Sequence, residues 1–280
     1  DLKRPLRNGF VVQGANAYEN TGVAVNAGDM NGDGRDDVII GIPLSTRQGS
    51  GTAGVAVVLY GQINSTYADV DLSVPLPVSA GFWVYGAYNE DRFGCTVSSA
   101  GDYNGDGYDD VIIGACNAYY GGSKRGIAYV IFGGRAFTTL LMFGAALASN
   151  GDGFRMTGAN MGAVSNAGDV NGDGLDDVIV GSMYGDPDPG RVNAGVVYVV
   201  FGRATPSDVD LLNLYANTVG FCIFGNADNS HLGASVSRAG DFNQDGYDDI
   251  IIGAPDRDNG AGAAYVIFGA AEFSSDIDLM

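Results

Sequence analysis

The sequence GDMNGDGRDDVIIG, residues 28–41, decides how this chain is organised, because it recurs three more times. The other copies are GDYNGDGYDDVIIG at 101–114, GDVNGDGLDDVIVG at 168–181 and GDFNQDGYDDIIIG at 240–253. Their first aspartates are Asp29, Asp102, Asp169 and Asp241, which are 73, 67 and 72 residues apart. Four units of roughly this length fill the 280 residues, so the sequence predicts one domain built as a fourfold repeat.

Each unit contains four short runs rich in β-branched and aromatic residues, separated by glycine-rich turns. No long helical periodicity is present, so the runs are predicted to be strands. Four short strands per repeat are typical of a propeller blade, whereas the repeats of a solenoid are usually shorter. The predicted fold class is therefore all-β, a β-propeller with four blades of four antiparallel strands.

The order of the runs predicts how the propeller closes. The runs at 81–86, 153–158 and 220–225 are each expected to be the outer strand of the preceding blade. The last unit has three strands of its own, and the run at 9–14 is expected to complete it and close the ring. The repeats then cover approximately 10–80, 81–152, 153–219, and 220–280 together with 9–14. The alternatives are an open part of a larger ring, or two chains that complete one.

Composition and charge exclude several classes of function. The 33 acidic and 14 basic residues give a net charge of −19, which excludes general nucleic-acid binding because a phosphate backbone would be repelled. No apolar run approaches the roughly 18 residues of a membrane span, so no membrane insertion is expected. With one histidine, a histidine-rich zinc site is excluded. The hydrophobic fraction of 46% is too high for a disordered acidic chain.

Each repeat carries the pattern D-x-N-x-D-G-x-x-D, which indicates a calcium loop. Positions 1, 3, 5, 7 and 9 of a tight loop direct oxygen atoms at one centre, with the backbone carbonyl serving at position 7, and Ca²⁺ takes about 6–8 such ligands. The predicted ligands are Asp29, Asn31, Asp33, Arg35 and Asp37; Asp102, Asn104, Asp106, Tyr108 and Asp110; Asp169, Asn171, Asp173, Leu175 and Asp177; and Asp241, Asn243, Asp245, Tyr247 and Asp249. The sequence therefore predicts about four Ca²⁺ ions.

Two other interpretations of these loops are weaker. An EF-hand has glutamate at position twelve, where this chain has Ile40, Ile113, Val180 and Ile252 within strand-like runs. Turns of aspartate, asparagine and glycine without a metal would explain one copy, but four copies with the same oxygen positions favour a cation. Mg²⁺ prefers a smaller octahedral shell with several waters and is the less suitable ion.

With these residues in place, the repeats resemble FG-GAP repeats, the blades of the integrin α-subunit propeller. The FG elements are Phe93-Gly94 and, in looser form, Leu232-Gly233, Met161-Gly162 and Thr21-Gly22. The GAP elements are Gly253-Ala254-Pro255 and, approximately, Gly41-Ile42-Pro43, Gly114-Ala115-Cys116 and Gly181-Ser182-Met183. Integrin propellers have seven blades and this chain has four repeats, so calcium binding is implied more directly than receptor signalling.

The resemblance implies a non-enzymatic, extracellular or cell-surface recognition domain. Its ligand, a protein or a glycan, would bind the loops at the strand ends opposite the calcium loops, which we call the distal face. The cationic and tyrosine residues predicted there are Arg47, Tyr88, Arg92, Tyr119, Tyr120, Lys124, Arg125, Arg191 and Arg257. A lectin-like propeller with sugar pockets between blades and a structural scaffold domain of a larger surface protein are the alternatives. FG-GAP repeats also accompany phospholipase D-type hydrolases, but no nucleophile–base pair is apparent here.

Cys95 and Cys116 lie at nearly equal distances from the centre of the loop between Asp102 and Asp110. In an antiparallel hairpin they would face each other within reach of a disulfide, and two buried free thiols are the alternative. Cys222, in an expected outer strand, is predicted to be a small apolar side chain.

Overall fold

The structure is a computed structural model that describes residues 9–47, 51–62, 69–134, 141–142, 147, 151–214 and 218–279. Its strands, in chain order, are β1 (Val12–Gln13), β2 (Val23–Gly28), β3 (Asp37–Ile42), β4 (Val55–Leu59), β5 (Val70–Asp71), β6 (Gly81–Tyr85), β7 (Phe93–Gly101), β8 (Asp110–Ala115), β9 (Tyr119–Tyr120), β10 (Ser123–Lys124), β11 (Ile127–Ile131), β12 (Leu141–Met142), β13 (Gly153–Thr157), β14 (Val164–Gly168), β15 (Asp177–Ser182), β16 (Val196–Val200), β17 (Val209–Asp210), β18 (Gly220–Phe224), β19 (Ser235–Gly240), β20 (Asp249–Ala254), β21 (Ala263–Ile267) and β22 (Ile277–Asp278). A 3₁₀ turn, η1, covers Leu211–Asn213, and a single helical turn, α1, covers Arg257–Gly260. None of the described helices is long and apolar enough to cross a membrane.

Three sheets have the predicted blade topology of four antiparallel strands in chain order. They run β2-β3-β4-β6, β7-β8-β11-β13 and β14-β15-β16-β18. The runs at 81–86, 153–158 and 220–225 form the outer strands of the preceding sheets, as the sequence predicts. A two-residue strand from the following repeat adds in parallel to each outer strand: β12 to β6, β17 to β13, and β22 to β18.

The sheets pack face to face, which explains why their central strands are apolar on both sides. All five residues of β4, β11 and β16 are buried. Between the second and third sheets, for example, Ile112 and Val130 contact the same core as Val178 and Val200. Along the inner edge, β2 packs beside β7, β7 beside β14, and β14 beside β19. Sandwiched sheets of this kind read as continuous hydrophobic runs rather than alternating ones.

The predicted closure of the ring by residues 9–14 is not confirmed. In the part of the chain that is described, the fourth sheet is β19-β20-β21, and no sheet joins it to the first. β1 instead pairs in parallel with β5, with Val12 opposite Val70 and Gln13 opposite Asp71. The outer strand β6 pairs with β12 in the same way, so β1 has the position of an outer strand. Among the described residues, however, no third strand of a blade pairs with β1.

Candidate functional site

The four D-x-N-x-D-G-x-x-D loops connect the first and second strands of their sheets, as the hairpin register shows. In the second sheet, for instance, Gly101 pairs with Asp110 across the loop. The glycine at position six turns the chain back with a positive φ, 83° at Gly34 and 87° at Gly107. A side chain at that φ would be strained, so the glycine is required by the turn itself.

The second loop illustrates how the polar side chains converge. Asp102 Oδ1 and Asn104 Oδ1 both accept a hydrogen bond from the backbone N–H of Asp106, at 3.0 and 2.9 Å. Asp102 Oδ2 accepts from Gly107 N at 3.0 Å, and Asp106 Oδ1 accepts from Tyr108 N at 3.0 Å. Because Asp102 Oδ1 and Asn104 Oδ1 share one donor nitrogen, the side chains of positions 1 and 3 lie together. Asn104 Nδ2 donates to Asp106 Oδ2 at 3.0 Å, which brings the side chain of position 5 to the same side of the loop.

The third and fourth loops repeat the four bonds from backbone nitrogens, and the first loop repeats three of them. Two loops have individual features. In the first, the Arg35 guanidinium forms a 2.8 Å ion pair with Asp33, a predicted ligand. In the fourth, Gln244 with φ of 62° replaces the glycine found at position four of the other loops.

The aspartate at position nine has a structural role that the sequence did not predict. Asp110 is fully buried, and its Oδ2 accepts from Tyr103 N at 3.1 Å while its Oδ1 accepts from Gly133 N at 2.8 Å. Asp37, Asp177 and Asp249 are equally buried and make the same two bonds, one to the loop and one to the second residue after the third strand. This side chain therefore ties each loop to its own sheet.

Burial has a clear electrostatic consequence at position nine. Loss of solvation raises the pKa of Asp110 and of Asp177 to about 8, and that of Asp37 to about 6. The other loop carboxylates, Asp102 and Asp106 in the case of Asp110, raise it further, while the backbone hydrogen bonds oppose the shift. Without a neighbouring cation, the ionised form of these buried aspartates is therefore unfavourable, because they are poorly solvated and lie close to other carboxylates.

The donor set of each loop suits a hard cation. Positions 1, 3 and 5 offer carboxylate and amide oxygens, position 7 offers a backbone carbonyl, and no nitrogen or sulfur ligand is present. Within the described residues, no three His, Cys, Asp or Glu side chains are grouped as a metal site. In each loop the side chain at position nine is bonded to two backbone N–H groups, and the two aspartates and one asparagine of positions 1, 3 and 5 lie at the open side of the loop.

The aspartate at position eight links neighbouring sheets, a role that the ligand pattern did not predict. Asp109 Oδ2 accepts from Asp29 N at 2.7 Å, and Asp109 N donates to Asp29 O at 3.3 Å. Asp176 makes the same pair of bonds to Asp102, and Asp248 to Asp169. The signal was present in the sequence as an Asp-Asp pair in all four repeats. The first aspartate of the first, second and third loops is thus held by the next blade.

On the distal face, three of the predicted residues meet in one cleft of about 360 Å³. Tyr88, Tyr119 and Tyr120 line it, and Tyr88 and Tyr119 are 65% and 62% exposed. Arg155 and Asp208, which the sequence did not single out, lie on the same wall. The strand register places this cleft at the distal end of the second sheet, since Ile127 on its wall pairs with Ala115, the last residue of β8.

The cleft has a polar wall beside its tyrosines, formed by an ion pair. Arg155 Nη2 lies 2.5 Å from Asp208 Oδ2, and Asp208 Oδ1 accepts from Arg155 N at 2.9 Å. The hydrogen bond to Asp208 raises the pKa of Arg155. Tyr129 forms part of the lining and is 2% exposed. Flat, partly exposed rings next to fixed polar groups are typical of sites that bind amphipathic ligands.

Most of the predicted distal arginines make contacts within the protein. Arg47 stacks 4.0 Å from the Trp83 ring centroid and donates to Leu72 O at 2.6 Å. Arg125 donates to Gly158 O, Arg191 pairs with Asp188 and Asp278, and Arg257 contacts the Tyr265 ring and hydroxyl. Arg92 is exposed, and the side chain of Lys124 lies outside the described part. The arginines are thus spread over the distal face and do not form one cluster.

Asp91, in the loop before Phe93, is a buried charge. It is 2% exposed, and its Oδ2 has no hydrogen-bond partner among the described residues. Loss of solvation raises its pKa to about 6. Because the folded protein binds the proton more tightly than the unfolded chain, this group is expected to lower stability as pH rises from about 4 through 6.

Replacing Asp91 with asparagine should therefore stabilise the protein at neutral pH. Asp91→Asn keeps the shape but removes the charge, so the gain is expected at pH 7.5 and not at pH 4.5, and it should not exceed about 3 kcal/mol. Thermal melts of both proteins at the two pH values measure it. An equal shift at both pH values would contradict the electrostatic cause.

Cys95 and Cys116 form a disulfide, with their Cα atoms 6.2 Å apart. Cys95 lies in β7 and Cys116 directly follows β8, so the bond crosses the first hairpin of the second sheet at its distal end. Cys222 is a buried free thiol in β18, and burial raises its pKa to about 12. Such a thiol is unreactive.

Comparison with known proteins agrees with the repeat structure. Integrin alpha pat-2 of Caenorhabditis elegans is 35% identical over 173 residues, which are 58% of this chain and 13% of that protein. Integrin alpha-V of Gallus gallus is 28% identical over 238 residues, 83% of this chain and 20% of that protein. Human phosphatidylinositol-glycan-specific phospholipase D is 27% identical over 256 residues, 89% of this chain and 28% of that protein.

The chain thus spans less than a third of the length of each of these relatives. The FG-GAP repeat matches four segments, residues 21–59, 96–131, 161–200 and 232–267, which together are more than half of the sequence. Each segment contains one D-x-N-x-D-G-x-x-D loop and all or most of the first three strands of one sheet. The chain belongs to the FG-GAP repeat family.

Proposed function

We propose that this chain is a calcium-binding recognition domain of the adhesion type, acting at the cell surface or outside the cell. The observation that carries the proposal is the repeated loop geometry, in which positions 1, 3 and 5 present oxygens at one side of each of four loops. About four Ca²⁺ ions would bind there, held by the side chains at positions 1, 3 and 5, the carbonyl at position 7, and the aspartate at position 9 through its second lone pairs.

The extracellular setting is supported by two independent features. The Cys95–Cys116 disulfide suits an oxidising compartment. Exposed loops of this kind bind Ca²⁺ weakly, with dissociation constants of about 10⁻⁴–10⁻³ M in extracellular modules, and only extracellular calcium reaches such concentrations. Similarity to two integrin alpha subunits supports the adhesion-type role. The similarity to a phospholipase D is partial and does not change the proposal of a non-enzymatic role. The loop aspartates are explained as calcium ligands and as buried hydrogen-bond acceptors, so they do not indicate a catalytic site.

The ligand would bind the distal face, and the tyrosine cleft is its best-formed part. The exposed rings of Tyr88 and Tyr119 can stack on the apolar face of a sugar ring, and the Arg155–Asp208 pair offers donors and acceptors to hydroxyl groups. A protein ligand is the first candidate. Because of this arrangement, a glycan ligand, and with it a lectin-like function, is the second candidate. A protein would cover the cleft together with the neighbouring loops.

Screening the chain on arrays of oligosaccharides and of matrix proteins, in Ca²⁺ and again in EGTA, tests the proposal. Calcium-dependent binding to either class is expected. Silence on both arrays in both conditions would contradict the recognition role and favour a structural scaffold domain. Binding that is unchanged in EGTA would contradict the calcium requirement.

Truncating the exposed tyrosines should weaken binding to whichever probe the arrays identify. Tyr88→Ala and Tyr119→Ala are each expected to reduce affinity by about tenfold, because each removes a stacking surface of the cleft. Tyr18→Ala is the matched control, since Tyr18 is 90% exposed on another loop of the distal face. Titration by surface plasmon resonance measures the effect. An equal loss in the control would place the ligand elsewhere.

A further inference from the structure

The D-x-N-x-D-G-x-x-D loops of successive sheets contact one another. Between the first two loops, Asp109 Oδ2 accepts from Asp29 N at 2.7 Å, and Asp109 N donates to Asp29 O at 3.3 Å. Asp29 is position one of its loop, and Asp109 is position eight of the next loop. Because both bonds hold the backbone of Asp29, they help to fix where this residue places its carboxylate, a predicted ligand.

A side chain of the second loop also packs on the first. A Cβ added at Gly32, position four of the first loop, would overlap the ring of Tyr108, which is position seven of the second loop. The glycine allows this close approach. Position four lies between the predicted ligands at positions 3 and 5, so the ring of Tyr108 supports the turn that carries both.

The same contacts recur at the next two junctions between sheets. Asp176 bonds the backbone of Asp102 at 3.0 and 3.3 Å, and Asp248 bonds that of Asp169 at 3.0 Å in both directions. The side chain at position seven again packs on the glycine at position four of the preceding loop, in the pairs Leu175–Gly105 and Tyr247–Gly172. The contact is therefore a regular feature of successive loops.

These contacts come from the part of each following loop that is itself expected to hold an ion. In the second loop, Tyr108 offers its backbone carbonyl at position seven, and the buried Asp110 is position nine. An ion held at both positions would restrain Tyr108 and Asp109, whose side chains hold positions four and one of the first loop. Order in one loop would thus reach the ligands of the loop before it.

We propose that neighbouring loops bind their ions cooperatively, so that an ion in one loop strengthens binding in the loops directly before and after it. The inference rests on the proposed calcium binding and describes how those sites regulate one another. Coupling between two binding sites is reciprocal, and its usual size is about 5- to 150-fold in affinity. Since the contacts described above join only successive loops, coupling between more distant loops has to pass through the loops between them.

Repulsion between two bound cations acts in the opposite direction. At an ionic strength of 0.15 M the screening length is about 8 Å, which weakens this repulsion. The carboxylate of Asp109 lies at the junction of the first two loops and adds negative charge there. We therefore expect the contacts, and not the repulsion, to decide the sign of the coupling at this ionic strength.

Each loop contains its own reporter of bound calcium. Gly107 N, at position six, donates to Asp102 Oδ2 at 3.0 Å, so a cation at that carboxylate would change the chemical shift of the amide. The amides of the other three loops make equivalent bonds at 2.7, 2.9 and 3.0 Å, and they belong to Gly34, Gly174 and Gly246. Titration of the ¹⁵N-labelled chain with Ca²⁺ in 0.15 M salt, followed by NMR, therefore gives a midpoint for each loop.

Weakening the second site tests the coupling. Asp106→Ala removes the exposed ligand at position five of that loop. The midpoints at Gly34 and Gly174 are expected to move to Ca²⁺ concentrations at least about fivefold higher, and the midpoint at Gly246 to move less, because it is reached only through the third loop. Unchanged midpoints at Gly34 and Gly174 would overturn the inference, and so would tighter binding, which ion repulsion predicts.

Two further outcomes of this titration have distinct meanings. An equal shift at all four glycines would indicate a general loss of stability and would also overturn the inference. Absence of any calcium-dependent shift in the wild-type chain would contradict the proposed calcium binding itself. Circular dichroism in EGTA shows that each variant is folded.

A second variant tests whether the contacts carry the coupling. Tyr108→Ala with Asp109→Ala removes the ring and the carboxylate that hold the first loop, but keeps the carbonyl at position seven. In this background, Asp106→Ala should have much less effect on the midpoint at Gly34. The same pair of substitutions at Tyr247 and Asp248 is the matched control and should leave that effect intact. An effect of equal size in both backgrounds would overturn the inference.

Discussion

Asp177→Ala is expected to destabilise the protein by about 2–6 kcal/mol, enough to unfold it in part at 37 °C. The side chain is fully buried and accepts hydrogen bonds from Val170 N at 2.9 Å and Gly202 N at 2.8 Å. The substitution leaves both buried N–H groups without a partner, at about 1–3 kcal/mol each. Urea unfolding in EGTA measures the loss without a contribution from bound metal.

Asp173→Ala in the same loop is the matched control. Asp173 is exposed, and in EGTA its loss should cost less than about 1 kcal/mol. Asp177→Asn retains one acceptor oxygen and should fall between the two. Equal losses at positions 173 and 177 would contradict the division of the loop into an exposed ligand set and a buried tie.

Calcium is expected to raise the melting temperature by 10 °C or more, the largest solution effect that the sequence and fold predict together. At a free concentration of one hundred times the dissociation constant, each site adds about 2.7 kcal/mol. Four loops with four aspartates each hold nearly half of the 33 acidic residues, and the eight positive charges of four Ca²⁺ ions would change the net charge from −19 to −11. Differential scanning calorimetry in 10 mM Ca²⁺ and in EGTA, at constant ionic strength, measures the shift.

Mg²⁺ at the same concentration is the control and should give a smaller shift, since it prefers a smaller octahedral shell with several waters to a loop that offers five oxygen ligands. The first loop should be the weakest site, because the Arg35 guanidinium competes with a cation for Asp33. Calorimetric titration of Arg35→Leu, which copies the residue of the third loop, should then show the first site tightened. Identical melting temperatures in Ca²⁺ and in EGTA would contradict the proposal that the loops bind calcium.

Much of the architecture could be predicted because the decisive signals are local and repeated. The spacing of the D-x-N-x-D-G loops and the glycine-bounded runs predicted the blades and the placement of 81–86, 153–158 and 220–225 as outer strands. Closure could not be predicted in the same way, since residues 9–14 have the composition of an outer strand whichever third strand they join. In the structure β1 pairs with β5, which is distant in the sequence, and no local sequence pattern predicts this contact.

The candidate sites show the same division. The ligand pattern D-x-N-x-D was visible, but it did not separate Asp110 from Asp102, although one is fully buried and the other is partly exposed. That difference arises from the fold, because Gly133, two residues after the third strand, supplies one of the donors. Likewise Tyr88 and Tyr119 were predicted on the distal face, while Arg155 and Asp208 reach the same cleft from separate strands and connections.

The buried tie at position nine has a consequence for how such domains can change during evolution. Because Asp37, Asp110, Asp177 and Asp249 hold their blades through backbone bonds alone, the ligands at positions 1, 3 and 5 can be lost from one repeat without loss of that blade. A lineage could therefore lose its ion-binding sites one at a time. The stability of neighbouring blades would then depend on calcium to different degrees. Substitutions at position nine would be purged in every lineage, whether or not its loops still hold an ion.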